Sequence, residues 1–341
     1  MDEPVVPIVA RSMCCGTNRS PGLAGPAPGD SPTHRPGREP VVWRLTDGKA
    51  GHEAQSQGLL QALERHQPLK VYHLPIARDW HPLLWALGRF FPPGEDLPAP
   101  HWLVGAGRGT HLALLAAQRA RGGRTVVLMN PGFWRSWFDL CLIPAHDRLP
   151  PATNIHLTRG ALTTLSPGGE HYPQQELILV GGPSHHYGWD LSDLLRQLKA
   201  LVLASPSHHF RLTTSRRTPP EALAVFRQSL PTITVIPWQH TGPGWMREQL
   251  AQAGQVWVTA DSVSMVYEAL TSGAAVGVLA VPPLGSKISR VAWGLEQLVK
   301  DGLVTPFAAW QAGQPLKPPS EIFDEADRIA RWLVQTGWLQ Q

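Results

Sequence analysis

The sequence predicts an α/β protein of two consecutive Rossmann-like parallel domains facing a cleft. Three observations carry this. Apolar, β-rich runs alternate with helical segments from residue 41 to the C-terminus, the pattern of βαβ units. Several predicted strands end in turns of glycine, hydroxyl or charged residues: DGKAGH (47–52), GAGRG (105–109), GGPS (181–184), TTSRR (213–217) and ADSVS (260–264). In an open parallel sheet, ligands bind outside the carboxyl ends of the strands. The pattern also starts afresh with ELILVGGPS (176–184), and 341 residues is a two-domain length.

Composition narrows the class. The formal charge is +4 and the pI near 9.1, spread along the chain and dominated by arginine. That balance fits an anionic ligand or an anionic membrane surface. No aromatic-plus-basic sheet pattern and no zinc finger appears, so a nucleic-acid partner is not expected. The three cysteines, Cys14, Cys15 and Cys141, form neither a disulfide framework nor a metal site, which points to a reducing, cytoplasmic setting. No apolar run approaches the ~20 residues of a membrane span. The N-terminus MDEPVVPIVARSM is acidic and a poor secretory signal, and Met13 offers an alternative start. Residues 1–40, rich in Gly, Pro and Ser, are read as a disordered extension.

The first domain spans 41–170. VVWRLT is its first strand. The following loop carries Asp47, Gly48, Lys49, Gly51 and His52, and a helix then runs to about Arg65. A glycine-rich turn here lets a ligand approach the backbone, but no Gly-Lys-Ser/Thr closes it, so it is no Walker loop. Lys70–Leu74 is a strand. Asp79–Phe91 is a helix with Leu83, Leu84, Leu87, Phe90 and Phe91, either core-facing or lying in a membrane interface between Arg78 and Arg89. HWLVGAGRGTHLALL is strand, turn, helix. Thr110 stands where the last glycine of a dinucleotide fingerprint belongs, which disfavours a nicotinamide site. Thr125–Met129, FDLCLIP and Asn154–Thr158 are further strands. His146 and Asp147 follow the second of these as a structural pair or an acid-base pair. Residues 163–175 read as a linker.

The second domain spans 171–320. Gly181 and Gly182 allow close backbone approach after its first strand, and Ser184 offers a hydroxyl. His185 and His186 are adjacent and point apart, so they make no metal pair. Asp190 caps the next helix. FRLTTSRRTP is a strand ending on hydroxyls with Arg216 and Arg217, suited to a phosphate. ITVIPW is a strand and Trp245–Ala253 a helix. VWVTADSVSMVYEALTSGAAVGVLAV (256–281) is strand, helix, strand. Asp261 or Ser262 can cap that helix, Gly273 ends it, and Glu268, two turns in, is placed to reach a sugar hydroxyl. Free N–H groups and the dipole's positive end at such a helix start suit a phosphate. Lys287–Lys300 and Glu321–Trp338 are closing helices, and residues 321–341 are long enough to cross back to the first domain. This arrangement suggests the GT-B glycosyltransferase architecture, with a ligand between the domains.

The motifs WRLTDGKAGHEAQSQGL, GAGR, FDLCLIPAHD, NIHLTRGAL, GGPSHHYGW, TTSRRTP and VTADSVSMVYEAL together resemble the mitochondrial-fission "elongated mitochondria" family and its bacterial relatives, some loosely labelled nucleoside-diphosphate-sugar epimerases. The resemblance covers about residues 41–335 and is closest to bacterial members, without an organelle-targeting arm. The chain departs from the family pattern at Gly242–Met246 and in the NPGFW loop (130–134). The resemblance implies a GT-B-like fold. By similarity to GT-B transferases, the second domain would hold a nucleotide-sugar as substrate, with no cofactor and no metal. Gly181, Gly182 and Ser184 would lie on the phosphate side, and Ser215 and Arg216 would neutralise it. Asp261, Ser262 and Ser264 would stand at the helix start, and Glu268 would accept from ribose or sugar hydroxyls. The first domain would hold a glycan or lipid-linked acceptor, with Asp47, His52 or Glu53 as general base.

Two functions follow from the resemblance. One is a metal-independent glycosyltransferase of cell-envelope glycan or glycolipid synthesis, cytoplasmic or peripheral at the inner membrane. The other is a non-catalytic GT-B-like scaffold that recruits a protein partner, as the plant fission members recruit a dynamin-related protein. An epimerase is disfavoured, because those need a bound nicotinamide and a Tyr-x-x-x-Lys pair, and none of Tyr72, Tyr172, Tyr187 and Tyr267 has a lysine four residues on.

Overall fold

The computed structural model describes residues 39–77, 81–285 and 290–338. The predicted N-terminal extension up to residue 38, residues 78–80 at the expected start of the Leu83 helix, and residues 286–289 at the expected start of the Lys287 helix lie outside them.

The first lobe runs β1 (Val41–Thr46), α1 (Ala50–Glu64), β2 (Lys70–Pro75), α2 (His81–Gly88), β3 (Trp102–Ala106), α3 (His111–Arg121), β4 (Arg124–Leu128), β5 (Leu140–Pro144) and β6 (Ile155–Thr158). Its six strands are all parallel, in the order β2-β1-β3-β4-β5-β6. Alternate residues go to opposite faces, as the two-residue period of a strand demands. Val42, Val104 and Val126 face α1 through Leu59, Leu60 and Leu63. Trp43, Leu103 and Val127 face α3 through Ala113, Leu114 and Ala117. Covering both faces with helices is what allows an all-parallel sheet.

The second lobe runs β7 (Tyr172–Leu179), α4 (Leu191–Ala204), β8 (His209–Thr213), α5 (Pro220–Ser229), β9 (Thr234–Ile236), α6 (Trp245–Gln252), β10 (Ala253–Thr259), α7 (Val263–Ser272), β11 (Ala275–Leu279), α8 (Arg290–Lys300), β12 (Thr305–Pro306) and α9 (Phe307–Gln311). Its strands are also parallel, ordered β12-β11-β10-β7-β8-β9. The chain closes with α10 (Glu325–Gln335). Buried Ala326, Ile329, Ala330 and Leu333 of this helix pack into the first lobe's core beside α1.

Several local expectations shift. The helix expected over 79–91 ends at Gly88, because Arg89 adopts a left-handed φ of 53° that breaks the helical ladder. Asp190 caps α4 by accepting from the Asp193 amide. Ser262 stands at the N-cap of α7, yet neither its hydroxyl nor the Asp261 carboxylate caps that helix. α5, β12 and α9 are additional elements.

The lobes meet through side chains at the cleft ends of the first sheet. Tyr267 of α7 donates to the Arg159 carbonyl at 3.2 Å, just past β6. Arg148, just past β5, lies over the Trp293 ring of α8 at 4.5 Å. On α10, Glu325 accepts from the Arg159 amide, and Arg328 donates to the Leu157 carbonyl.

Candidate functional site: two switch points

Each sheet has one point where successive connections leave in opposite directions. In the second sheet it lies between β7 and β10, and in the first between β1 and β3. A crevice opens outside the carboxyl ends of the strands at such a point. The sequence places its most polar turns at these two places.

At the second-lobe switch point, the turn after β7 and the start of α7 are locked together. Gly181 donates to the Thr259 hydroxyl at 2.8 Å, and Gly182 donates to Asp261 Oδ2 at 2.9 Å. A side chain on Gly181 would collide with the Asp261 carboxylate and the Ser262 hydroxyl, so only glycine permits this packing. Both amides are therefore spent on the protein, and these glycines shape the turn rather than offering donors. Ser184 likewise serves its own turn, accepting from the amides of His186 and Tyr187.

Arg217 reaches across from the loop after β8. It donates to the Gly182 carbonyl at 2.7 Å and the Ser262 hydroxyl at 2.8 Å, and pairs with Asp261 Oδ2 at 2.8 Å. Its side chain stays 40% exposed while the Asp261 carboxylate is sealed. Its neighbour Arg216 turns away and lies over the Trp238 ring at 5.5 Å. The hydroxyls of Ser215 and Thr218 fix this loop: the Ser215 amide donates to Thr218 Oγ1, and the Arg217 amide to Ser215 Oγ. Trp238 is a residue that sequence reasoning left out of the site, and of the two arginines that the TTSRR turn offers it is Arg217, not Arg216, that reaches the start of α7. Adjacent arginines look alike in a sequence, and only the turn decides which one points inward.

Two acceptors here lack partners. Asp261 Oδ1 is buried without a hydrogen bond among the described residues. Glu268, half-buried on α7, also makes no hydrogen bond or ion pair among them, and burial lifts its carboxyl to about 7. With no side-chain cap, the amides of the first turn of α7 remain a positive helix end beside exposed Ser264. An apolar cavity of about 420 Å³ adjoins the switch point, lined by Tyr187, Ala260, Val281 and the inner face of α8.

At the first-lobe switch point, Asp47 and His52 form a pair. Asp47 closes β1 with its carboxylate 1% exposed, and His52 Nδ1 lies 3.0 Å from Asp47 Oδ2. The Lys49 amide also donates to Asp47. The imidazole seats directly on Gly107, after β3, where φ is +76° and any side chain would occupy the ring's place. Buried Arg44 anchors the start of α1, donating to Ser56 Oγ and to the carbonyl of Glu53. The structure thus joins Asp47 to His52 directly, while Glu53 contributes its backbone to this anchor. His111 lies nearby at the start of α3. Its burial, with Arg108 and His52 close, lowers it to about 4, so it is neutral near pH 7. Among the described residues no cluster of metal-ligand side chains occurs.

Residues 50–336 match the family described as Mitochondrial fission ELM1. The chain belongs to that family. A relative, the mitochondrial fission protein ELM1 of Arabidopsis thaliana, is 27% identical over 224 residues, which is 61% of this chain and 51% of that protein. The chain thus matches about half the length of this relative. Among solved structures, a putative UDP-N-acetylglucosamine 2-epimerase from Listeria monocytogenes superposes with a TM-score of 0.58 at 12% identity, covering 89% of this chain and 98% of that one. A second UDP-N-acetylglucosamine 2-epimerase gives 0.55 at 13%, covering 88% and 97%. With two parallel six-stranded sheets, the fold of this family member is GT-B-like. The missing Tyr-x-x-x-Lys pair bears only on nicotinamide-type epimerases, and this fold also hosts chains named as epimerases.

Proposed function

We propose that the chain is a metal-independent GT-B-type glycosyltransferase that takes a nucleotide-sugar in the second lobe. The observation that carries this reading is that one switch point holds the Asp47–His52 pair and the other an anion-suited helix start. The diphosphate would meet the first-turn amides of α7 and the hydroxyls of Ser262 and Ser264, with Arg217 supplying the positive charge. Glu268 would accept from ribose or sugar hydroxyls. The Arg216–Trp238 pair offers planar faces for a base, and the apolar cavity has room for a ring-sized group. Gly181, Gly182, Ser184 and Ser215 would act by holding the turns. The names of the two fold neighbours, which carry a UDP-sugar, agree with this donor class.

For transfer, Asp47 holds His52 through Nδ1, leaving Nε2 to take the proton of an acceptor hydroxyl. The hydroxyl oxygen bonds to the anomeric carbon, the bond from that carbon to the diphosphate oxygen breaks, and the nucleoside diphosphate departs. Helix-end amides and an arginine stabilise that leaving group electrostatically. His52→Ala is expected to lower transfer, or donor hydrolysis in the absence of acceptor, by about 10²–10⁴-fold. Donor affinity should stay within about twofold. Following the sugar by NMR separates transfer from epimerisation. Loss of affinity together with rate would remove the base assignment.

One observation favours the second reading, a scaffold that recruits a protein. Arg217 is already neutralised by buried Asp261, so its charge is not wholly available to a ligand. On that reading no nucleotide binds and His52→Ala changes nothing measurable in the cleft.

A further inference from the structure

The first lobe leaves large apolar side chains in solvent on the sheet face opposite α1 and α10. On α2, Leu83, Leu84 and Leu87 are 49%, 43% and 70% exposed, and Phe90 just beyond is 47% exposed. In the 3₁₀ turn Gly132–Trp137 after β4, Phe133 is fully exposed and Trp137 56% exposed. Both segments pack on α3: Arg119 donates to the Ala86 carbonyl of α2, and His111 contacts the Phe138 ring at the end of the turn. The six side chains therefore flank one helix on one face, more apolar surface than scattered exposure accounts for.

The charge around them is predominantly positive. Residues 81–139 contain six arginines against Glu95, Asp96 and Asp139, and exposed Glu95 lines one hollow with Arg89, Phe90 and Arg121. Arg121 is used internally, on the carbonyls of Gly94, Glu95 and Leu97. Arg89, Arg108 and Arg119 are exposed. Leu, Phe and Trp beside a surplus of arginines match the chemistry of a lipid interface with anionic headgroups.

We propose that α2 and the Gly132–Trp137 turn dock the protein onto an anionic membrane surface. The docked face adjoins the first-lobe switch point, because His52 seats on Gly107 directly before α3. Resting on the transfer reading above, the acceptor class is then a lipid-linked hydroxyl delivered from the bilayer to His52.

The test is cosedimentation of the full chain with vesicles of phosphatidylcholine alone and of phosphatidylcholine mixed with phosphatidylglycerol. Binding is expected to the anionic vesicles only, and to weaken several-fold when ionic strength is raised about fivefold. The double variant Leu87→Ser, Phe133→Ser should reduce it about tenfold or more. Both positions are solvent-exposed, and an unchanged melting temperature confirms that the variant is folded. Equal binding by variant and wild type, or no vesicle binding, overturns the proposal. Self-association abolished by the same variant, with no vesicle binding, would overturn it in favour of a protein interface. Vesicle binding requires no turnover, so this experiment and the loss of transfer in His52→Ala fail independently.

Discussion

At the scale of single residues, Glu268 carries the sharpest consequence. Its folded carboxyl is raised from 4.5 to about 7 by burial alone. Between those values the folded protein holds a proton that the unfolded chain has released. Stability therefore falls as pH rises through this window and stays lowered above it. Glu268→Gln should flatten that slope and raise stability at pH 8 by on the order of 2 kcal/mol. Urea melts of both proteins at pH 5 and pH 8 check this; parallel pH slopes would contradict it. Ligand binding should run the other way, since a hydroxyl donor prefers the carboxylate. Nucleotide-sugar affinity in the wild type should rise through about pH 7 and be flat in the variant. Arg217 shows why this scale is the least legible in a sequence. The TTSRR turn marks a phosphate-suited loop, but Ser215 and Thr218 hydroxyls turn Arg217 toward Asp261 and leave Arg216 on Trp238. The same holds for Asp47, His52 and Glu53: which of them meet shows only in the 3.0 Å contact across the loop and in the seat on Gly107, just past another strand.

At the scale of elements, α10 binds the chain's end to its beginning. Asp324 caps it by accepting from the Asp327 amide, and also pairs with Arg65 of α1's C-cap at 2.8 Å. Ile329, fully buried, sits among first-lobe residues. Ile329→Ala should cost about 2–5 kcal/mol, and Asp324→Ala about 1 kcal/mol for the lost cap. Denaturant melts measure both; a small effect of Ile329→Ala would mean that α10 is not part of the first-lobe core. Most elements were legible because buried parallel strands read as short Val/Leu-rich runs and because helices carry an apolar stripe. α9, five residues long, and β12, two residues long, are too short to show a period. The early end of α2 is a backbone event at Arg89 that no apolar pattern announces.

At the scale of the whole molecule, the two polar switch points, one in each lobe, have complementary chemistries. Motifs identified the strand ends involved, but the strand orders that bring β1 beside β3 and β7 beside β10 arise from pairing across long stretches of chain. The most direct measurement is calorimetric titration of the wild type with a panel of nucleoside diphosphates and nucleotide-sugars, repeated for Arg217→Lys, Glu268→Gln and Arg216→Ala. Arg217→Lys keeps the charge beside Asp261 while removing the planar fork. The account predicts one preferred nucleotide, weakened about tenfold or more by Arg217→Lys and by Glu268→Gln, and less by Arg216→Ala. No heat with any nucleotide from folded protein, or binding indifferent to Arg217 and Glu268, would contradict a donor site at the start of α7.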